Sequence, residues 1–347
     1  MLLKRLLLVS ILGLVLLASG SALWLWQGLQ TLKEPVDLPE PVLFDVEQGS
    51  AFNWVATKLE REGLVEDALW LKIWGRLNPD RNVIKAGTYE FVPRETPIAM
   101  VGKMVRGDTK TWSVQFIEGW RFSELRAALA KQSHLEHLTK ELTDEEIMAR
   151  LGKPEQHPEG RFFPDTYVYT GKETDLDILR RAYQRMEGIL TEEWQGRADG
   201  LPYETPYEAL IMASIVEKET GVPDERGQIA GVFVRRIQKG MRLQTDPTVI
   251  YGLGEDYDGN ITRKHLRTTT PYNTYRISGL PPTPIALPGR DAIHASLHPQ
   301  PGTSLYFVAR GDGSHVFSET FSEHQKAVRE YQLQRRSDYR SSPQAQP

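Results

Sequence analysis

The chain of 347 residues contains no cysteine and no surplus of basic residues. Without cysteine it cannot form a disulfide, a thiolate metal site or a thiol nucleophile. Its 42 lysines and arginines against 46 aspartates and glutamates give a net charge of −4, which argues against a nucleic-acid-binding protein. The sequence also shows no internal repeat. Its length allows a substantial core, in one large domain or two smaller ones.

One apolar run near the start of the chain is long enough to cross a membrane. The 21 residues from Leu6 to Trp26 carry no charge, and a helix of that length spans roughly 30 Å. Two basic residues precede the run and a pair of tryptophans closes it, which predicts an anchor within residues 1–27 with a cytoplasmic N-terminus. The small residues Ser19–Ala22 also allow a cleaved signal peptide. The run continues past them, which favours the anchor, and both readings place the rest of the chain outside the cytoplasm.

A linker and a small module follow the anchor. Residues 28–41 are polar and contain several prolines, which predicts an extended linker. Residues 42–107 read as strand, helix, helix and strand, in the segments VLFDVEQG, SAFNWVATKLEREG, LVEDALWLKIWGRL and KAGTYEFVP. This βααβ order resembles a LysM domain, a fold that binds chains of N-acetylated sugars. An ordinary packing module with the same order of elements is an equal alternative.

The remainder of the chain mixes helix and strand patterns. Residues 108–335 form the larger predicted domain, and residues 336–347 have no apolar periodicity, which predicts a disordered tail. The predicted fold class is therefore α+β. It consists of an N-terminal transmembrane helix, a small LysM-like βααβ module and a larger mixed α+β domain.

The clearest helix signals in the chain lie between residues 205 and 223. The segment TPYE, residues 205–208, supplies threonine at the N-cap, proline at N1 and glutamate at N3, which together make a capping box. Gly221 and Pro223 form a stop signal, with glycine at a position that often turns left-handed. The helix is therefore predicted to span residues 206–220.

Helical phase places Glu219 in the middle of the apolar face of this helix. It follows Val216 by three residues and Ile215 by four. Burial among apolar neighbours disfavours a charged carboxylate, and so does the negative end of the helix dipole, so the pKa of Glu219 should be raised. A carboxyl that keeps its proton near neutral pH can serve as a general acid. Glu217 lies about 200° away around the helix and is predicted to be exposed or salt-bridged.

Several other polar patterns are less informative. Asp246 directly precedes Pro247, so it could be a helix N-cap or a groove residue. The arginine pairs at 180–181 and 235–236 are predicted to lie on solvated helix faces.

Metal binding is not favoured by the sequence. His134 and His137 are three residues apart and His294 and His298 are four apart, and neither pair has an obvious third ligand. The segment DYDGNITRKHLR begins like a calcium loop, but it lacks the glycine at position six and the final glutamate. No metal or other cofactor is predicted.

Four long stretches resemble the endolytic murein transglycosylase family (MltG, YceG-like). They are ASIVEKET, GMRLQTDPTVIYG, YNTYRISGLPPTPIALPG and YFVARGDGSHVFSETFSEH. The anchor, the module with KAGTYEF, the EG-x-R-x-S segment at Glu118–Ser123 and FPDTY at Phe163–Tyr167 also match. The resemblance covers nearly the whole chain beyond the anchor. It implies a single-pass protein of the bacterial inner membrane whose periplasmic catalytic domain cleaves nascent peptidoglycan within its glycan strands.

The resemblance also implies a site and a reaction. The catalytic residue of the family is the second glutamate of E-K-E-T, which is Glu219 here, the residue that helical phase singles out. It would protonate the glycosidic oxygen between N-acetylmuramic acid and N-acetylglucosamine. It would then take the proton of the muramyl 6-hydroxyl as that group attacks C1 and forms a 1,6-anhydro end. The residues implied to line the substrate groove are Gln244, Thr245, Asp246, Tyr272, Asn273 and Tyr275. The implied partners are peptidoglycan strands, the lipid bilayer and synthases of the penicillin-binding type.

Two other functions fit parts of the same sequence. A muramidase-type hydrolase would use Asp246 beside Glu219 to position a water or to act as a nucleophile. A non-enzymatic scaffold would use the LysM-like module to hold glycan beside a synthase.

Overall fold

The computed structural model describes residues 2–333, with side chains from Leu6 onwards, and divides into two units. One unit contains the residues up to Trp112 together with Tyr169–Glu173. The other contains Ser113–Val168 and the residues from Thr174 onwards. Among the described residues, helices are mixed with three two-stranded sheets, which confirms the α+β class. The predicted tail at residues 336–347 lies outside the described residues.

The first unit has α1 (Leu2–Thr31), β1 (Val42–Val46), α2 (Phe52–Arg61), α3 (Ala68–Leu77), β2 (Gly87–Phe91) and α4 (Pro97–Arg106). Two strands that pair with each other are β3 (Thr111–Gln115) and β4 (Thr166–Thr170). The second unit has α5 (Phe122–Ala130), α6 (Asp144–Arg150), α7 (Asp175–Gln195), α8 (Pro206–Glu219), α9 (Arg226–Gln238), α10 (Asp246–Leu253), α11 (Arg263–Arg267), α12 (Arg290–Leu297), β5 (Tyr306–Ala309), β6 (His315–Ser318) and α13 (Phe321–Val328).

The first unit contains the predicted strand–helix–helix–strand order. β1 and β2 are antiparallel, in a register that runs from Val42 opposite Phe91 to Val46 opposite Gly87. The strands, the two helices between them and α4 share one hydrophobic core. Its fully buried side chains include Phe44, Leu59, Leu71, Tyr89 and Met100.

The apolar N-terminal run is helical, and its side chains are exposed. Leu6–Thr31 is long and apolar enough to cross a membrane, and Leu8 and Leu17 are examples of side chains that are about two-thirds exposed. Residues 28–41 do not form the extended linker that their composition predicts. They begin inside the last turn of α1, and Leu32 and Leu38 then pack in the core of the first unit. The burial of Leu32 and Leu38 stabilises this arrangement, because apolar side chains gain free energy when they leave water.

The helix α8 lies in the core of the second unit. Thr205 caps it through its side chain, Glu208 completes the capping box and Pro206 occupies the first turn, as predicted. Every residue from Ala209 to Val216 is buried, and α7, α9, α10 and α12 all contact the helix. The helix is thus surrounded on all sides, whereas its sequence pattern predicts a single apolar face.

The proline-rich run of residues 281–289 packs against α8 and is mostly buried. The Ser214 hydroxyl donates to the Ile211 carbonyl at 2.7 Å and accepts the Ile285 N–H at 3.0 Å. This buried serine therefore joins the helix to the run. A stiff run of prolines suits this position because it loses little backbone entropy on folding.

Candidate active site

Glu219 is the last residue of α8 and lines a cavity of about 520 Å³. The helix ends there because Thr220 takes an extended backbone conformation (φ −144°, ψ 136°). The expected left-handed glycine at position 221 is not used, since Gly221 is not among the described glycines with positive φ. The Thr245 hydroxyl donates a hydrogen bond to Oε1 of Glu219, which fixes the carboxyl at the cavity wall.

The environment of Glu219 favours its protonated form. Burial raises the pKa of this carboxyl from 4.5 to about 7. The hydrogen bond from Thr245 lowers the pKa, the negative charge of Asp246 raises it, and the positive charge of Arg236 lowers it. Burial dominates, because the carboxylate loses hydration that one hydroxyl cannot replace. Glu219 can therefore both give and take a proton near neutral pH.

The segment that contains Thr245 is fixed by a second segment of the chain. Thr245 N–H donates to Thr274 Oγ1 at 3.0 Å, and Gln244 N–H donates to the Thr274 carbonyl at 3.2 Å. Gln244 has a positive φ of 55°, which a residue with a side chain rarely adopts. Such strain persists only where surrounding contacts impose it, and it is common at functional sites.

Asp246 faces the cavity as the first residue of α10. Its Oδ1 accepts a hydrogen bond from the Tyr275 hydroxyl at 2.7 Å, and both residues line the same cavity as Glu219. The N-cap interpretation of Asp246 is wrong, because Thr245 occupies the N-cap position and its hydroxyl is bonded to Glu219.

The six predicted groove residues fall into two groups. Gln244, Thr245, Asp246 and Tyr275 line the cavity with Glu219, whereas Tyr272 and Asn273 are not among its lining residues.

Tyr272 and Asn273 make contacts within the protein. The Tyr272 hydroxyl bonds with Thr283 Oγ1 at 2.9 Å, and its ring lies 4.9 Å from that of Tyr251. Asn273 is 1% exposed, and its amide donates to three backbone carbonyls, those of His265, Leu266 and Thr268. Its Oδ1 accepts the Tyr275 N–H at 3.0 Å.

Arg236 also lines the cavity and was not predicted to do so. It is 7% exposed, so the prediction that the arginine pair 235–236 lies on a solvated face is wrong for this residue. Burial lowers its pKa, which still leaves an arginine charged. The sequence does contain a signal for this burial, because Arg236 follows Phe233 by three residues and Val232 by four, so helical phase places it beside these apolar residues of α9.

Aromatic residues from the C-terminal hairpin and helix form another part of the cavity lining. Tyr306 and His324 stack with their ring centroids 5.1 Å apart, Phe321 lies beside them, and Phe307 also lines the cavity. This part of the cavity was not predicted from the sequence, because the approach of β5 and β6 to Glu219 depends on long-range packing. The cavity thus combines a polar part with an aromatic part, a combination typical of small-molecule and sugar sites.

Glu217 was predicted to be exposed or salt-bridged, and the structure confirms the second alternative, because the side chain is buried and lies within salt-bridge distance of Arg226. Its side chain is 7% exposed, and it accepts the Gly289 N–H at 2.9 Å and lies 3.9 Å from Arg226. Burial raises its pKa. The two glutamates do point to different partners, as their angular separation predicts, but both sides of the helix end are covered by protein.

A second buried carboxyl, Glu159, was missed by sequence reasoning. Burial raises its pKa to about 7, and it accepts hydrogen bonds from Phe122 N–H at 3.0 Å and the Tyr251 hydroxyl at 3.1 Å. It is not among the residues lining the cavity of Glu219. Its two donors come from distant parts of the sequence, so it joins the start of α5 to α10.

The histidines at 294 and 298 do have a third potential ligand nearby, contrary to expectation. Glu193 on α7 lies with them, and these three residues could surround a metal ion. Each carboxylate oxygen of Glu193 already has a partner, Oε1 with Arg290 Nε at 2.9 Å and Oε2 with His294 Nδ1 at 2.8 Å. His298 Nε2 faces the Gly196 carbonyl at 2.7 Å. The cluster therefore works as a hydrogen-bonded contact between α7 and α12.

A single half-buried carboxyl with a near-neutral pKa, set in a polar and aromatic cavity, defines an acid–base site on an α+β fold. The model of the YceG-like family matches residues 44–330, and the chain belongs to this family. It is similar to an endolytic murein transglycosylase of Bacillus subtilis strain 168, with 30% identity over 87% of this chain and 88% of that protein.

Two further similarities agree with this family membership. An endolytic murein transglycosylase of Streptococcus pneumoniae serotype 2 is 23% identical over 93% of this chain and 64% of that protein. The crystal structure of a yceG-like protein from Listeria monocytogenes has a TM-score of 0.52 and 29% identity, covering 83% of this chain and 99% of that one.

Proposed function

We propose that this protein is a peptidoglycan lytic transglycosylase that cleaves glycan strands at internal positions. The bond cleaved is the β-1,4 bond between N-acetylmuramic acid and N-acetylglucosamine, and the product is a strand that ends in 1,6-anhydro-N-acetylmuramic acid. The names of its relatives support the activity. The observation that carries the proposal is the Glu219 carboxyl, whose pKa is raised to about 7 at the wall of the cavity.

Glu219 is proposed to act as acid and then as base. As an acid it donates its proton to the glycosidic oxygen, the bond from that oxygen to C1 of the muramyl residue breaks, and Glu219 becomes a carboxylate. The carboxylate then accepts the proton of the muramyl 6-hydroxyl while the 6-oxygen bonds to C1. No water is consumed, and Glu219 regains the proton that it gave. One carboxyl suffices because the nucleophile belongs to the substrate.

The other cavity residues are proposed to bind and orient the sugar chain. Thr245 holds the Glu219 carboxyl by its hydrogen bond, while Gln244 and Tyr275 present an amide and a hydroxyl on the cavity wall. Amide groups suit the N-acetyl substituents of the substrate. Tyr272 and Asn273, also predicted as groove residues, are proposed to act through the position of the neighbouring Thr274 and Tyr275.

A muramidase-type hydrolase remains the second candidate, because Asp246 lines the same cavity as Glu219. Asp246 already accepts the Tyr275 hydroxyl. If Asp246 positioned a water or attacked C1, the products would carry reducing ends in place of anhydro ends.

Mass spectrometry of the products separates the two reactions. Full-length protein in detergent micelles is incubated with purified, uncrosslinked glycan strands. We expect the new muramyl ends to be lighter by one water than the ends made by a muramidase, because the 6-hydroxyl replaces water as the nucleophile. A muramidase serves as the control digest. Reducing ends as the main product would overturn the transglycosylase assignment.

Residues 42–107 are proposed to be a LysM-like glycan-binding module, followed in the chain by a catalytic domain of residues 108–335. The support is the order β1, α2, α3 and β2, with antiparallel pairing of the two strands. Hydrogen exchange of the full-length Glu219→Gln protein, with and without glycan strands, tests the binding role. Protection that is confined to residues outside 42–107 would contradict it.

The helix α1 is proposed to anchor the protein in the bacterial inner membrane, with the catalytic domain in the periplasm. Its exposed leucine and valine side chains suit a lipid environment. Penicillin-binding synthases are proposed as neighbours in the membrane. A C-terminal alkaline phosphatase fusion, which is active only outside the cytoplasm, should be active, and an inactive fusion would reverse the topology.

A further inference from the structure

We propose that Arg236 is a positioning residue for Glu219. It holds together the backbone segments around the cavity, and it supplies a fixed positive charge that stabilises the carboxylate left after Glu219 has given up its proton. This inference rests on the proposed acid–base role of Glu219.

Three backbone carbonyls hold the guanidinium of Arg236. Its Nε donates to the Leu305 carbonyl at 2.7 Å, and its Nη1 donates to the carbonyls of Leu243 at 2.7 Å and Arg242 at 3.1 Å. Leu243 directly precedes Gln244 and Thr245, and Leu305 directly precedes β5. A guanidinium bound at three points has a fixed location, so its charge needs no reorganisation during the reaction.

The charge of Arg236 is not cancelled by an ion pair. Within residues 2–333 its hydrogen-bond acceptors are neutral carbonyls, and no carboxylate forms a salt bridge with it. A cation that is 7% exposed and lacks a contact counter-ion is costly to bury, so a site that keeps one usually uses its field. Near neutral pH the charge that interacts with Arg236 is that of the Glu219 carboxylate, and the guanidinium lies 5.1 Å from the centroid of the Tyr306 ring.

The charged groups around Glu219 come from several elements. Asp246 at the start of α10 is negative, while Tyr275 is a neutral phenol because burial raises its pKa. His324 on α13 lines the same cavity, and burial lowers its pKa, which favours the neutral ring. Of the described residues that line the cavity, Arg236 is the only lysine or arginine. His315 on β6 also lines the cavity, and its Nδ1 is paired with Glu225 at 2.7 Å. Arg236 therefore supplies a positive charge that opposes both Asp246 and the effect of burial.

The opposing effects of burial and of Arg236 on the pKa of Glu219 suit a carboxyl that must act first as an acid and then as a base. Burial alone would hold the proton on Glu219 and make it a weak acid, while a full ion pair would hold it as a carboxylate. Arg236 acts on Glu219 without forming a salt bridge within the described residues, so each protonation state remains accessible. The reaction passes through both states, first when the glycosidic oxygen is protonated and then when the 6-hydroxyl is deprotonated.

Arg235 provides a matched control. It is the preceding residue of α9, and it also donates to backbone carbonyls, from Nε to Ser304 at 2.8 Å and from Nη1 to Gln300 at 3.1 Å. It is not among the residues that line the cavity. Replacing Arg235 therefore removes a similar set of structural contacts and leaves the charge near Glu219 unchanged.

The pH profile of glycan cleavage distinguishes a positioning residue from a structural one. We compare the full-length wild type, R236Q, R236K and R235Q in detergent micelles on uncrosslinked strands. Without the positive charge the pKa of Glu219 rises, so activity should persist to higher pH. We expect the alkaline midpoint of R236Q to move up by roughly one pH unit and its maximal rate to fall about tenfold. R236K should keep the wild-type midpoint, and R235Q should keep both midpoint and rate.

An R236Q protein that is slower but has an unchanged midpoint would show that Arg236 is only structural. If R236Q shows no melting transition and is therefore unfolded, the R236K variant tests the proposal instead. R236K retains the positive charge, so an upward shift of its alkaline midpoint would overturn the proposal. Failure of the proposed function gives a different result, namely cleavage by Glu219→Gln in the same assay. The two failures are therefore distinguishable.

Discussion

Replacing Glu219 by glutamine is expected to reduce the release of anhydro-muramyl products by about 10⁴-fold. Glutamine has nearly the same shape and can still accept the hydrogen bond from Thr245, so the cavity should remain intact. The amide cannot donate a proton to the glycosidic oxygen, and it cannot accept one from the 6-hydroxyl. Both steps lose their catalyst, which places the expected effect at the upper end for general acid–base catalysis. Rates are measured by mass spectrometry of the products from full-length protein.

Glu217→Gln is the matched control for this experiment. It makes the same chemical change two residues away on the same buried helix end. The new amide oxygen can still accept the Gly289 N–H. We expect activity within a few-fold of wild type, since Glu217 is not among the residues lining the cavity. Equal losses in the two variants would mean that the helix end, and not the Glu219 carboxyl, had been disturbed.

The Glu219→Gln substitution should also change the stability of the protein in a pH-dependent way. The pKa of Glu219 is about 7 in the folded protein against an ordinary value of 4.5, so the folded state holds the proton more tightly than the unfolded state. The wild type therefore loses stability as the pH rises from 4.5 towards 7. The glutamine variant avoids this loss and should be more stable than wild type at pH 8 by about 3 kcal/mol, with little difference at pH 4. Unfolding at the two pH values measures the effect.

Replacing Asn273 by alanine is expected to destabilise the fold strongly. The side chain is 1% exposed and donates to three backbone carbonyls, at 3.0, 3.3 and 2.6 Å. Its removal leaves these carbonyls and the Tyr275 N–H without their partner. Buried polar groups without partners cost about 1–3 kcal/mol each, and partial rehydration leaves an expected total of about 3 kcal/mol. The melting temperature should fall by at least about 5 °C.

Gln244→Ala is the contrasting variant. It also removes a side-chain amide that the sequence predicts in the groove, but Gln244 is exposed and lines the cavity. Both alanine and glutamine carry a Cβ, so the backbone strain at φ 55° is unchanged. We expect little change in melting temperature and a higher KM for glycan strands. If Asn273→Ala instead melted like the wild type and raised KM, Asn273 would be a substrate ligand.

The prediction for residues 205–220 shows how far local signals reach. The capping box, the proline at N1 and the helical phase of Glu219 depend only on neighbours within one or two turns, and the structure has the helix at Pro206–Glu219. Family resemblance adds the assignment of Glu219 as the catalytic residue. The α+β class and the order of elements in the first unit follow from similar local patterns. Hydrophobic periodicity and the glycines and prolines that end helices and strands are both properties of short segments.

Local signals gave less information on the environment of individual side chains. Arg236 was predicted to lie on a solvated helix face, and Glu217 was predicted from helical phase to be exposed or salt-bridged. They are buried because Gly289 and Leu305, far away in the sequence, supply the hydrogen-bonding groups that make burial possible. Residues 28–41 were predicted to be extended because they are polar and contain prolines, but Leu32 and Leu38 pack against core residues that follow only after residue 42.

The sequence by itself determined the helix that carries Glu219, the direction in which Glu219 points, the apolar helix at the N-terminus and, through its motifs, the family. Only the tertiary structure decided which residues meet at the site. It separates Gln244, Thr245, Asp246 and Tyr275 on the cavity wall from Asn273 in the interior, and it adds Arg236 and Tyr306. The physical reason is that the pKa of a carboxyl and the role of an amide depend on burial and on partners brought together by folding. Neither of these is encoded within a single helix.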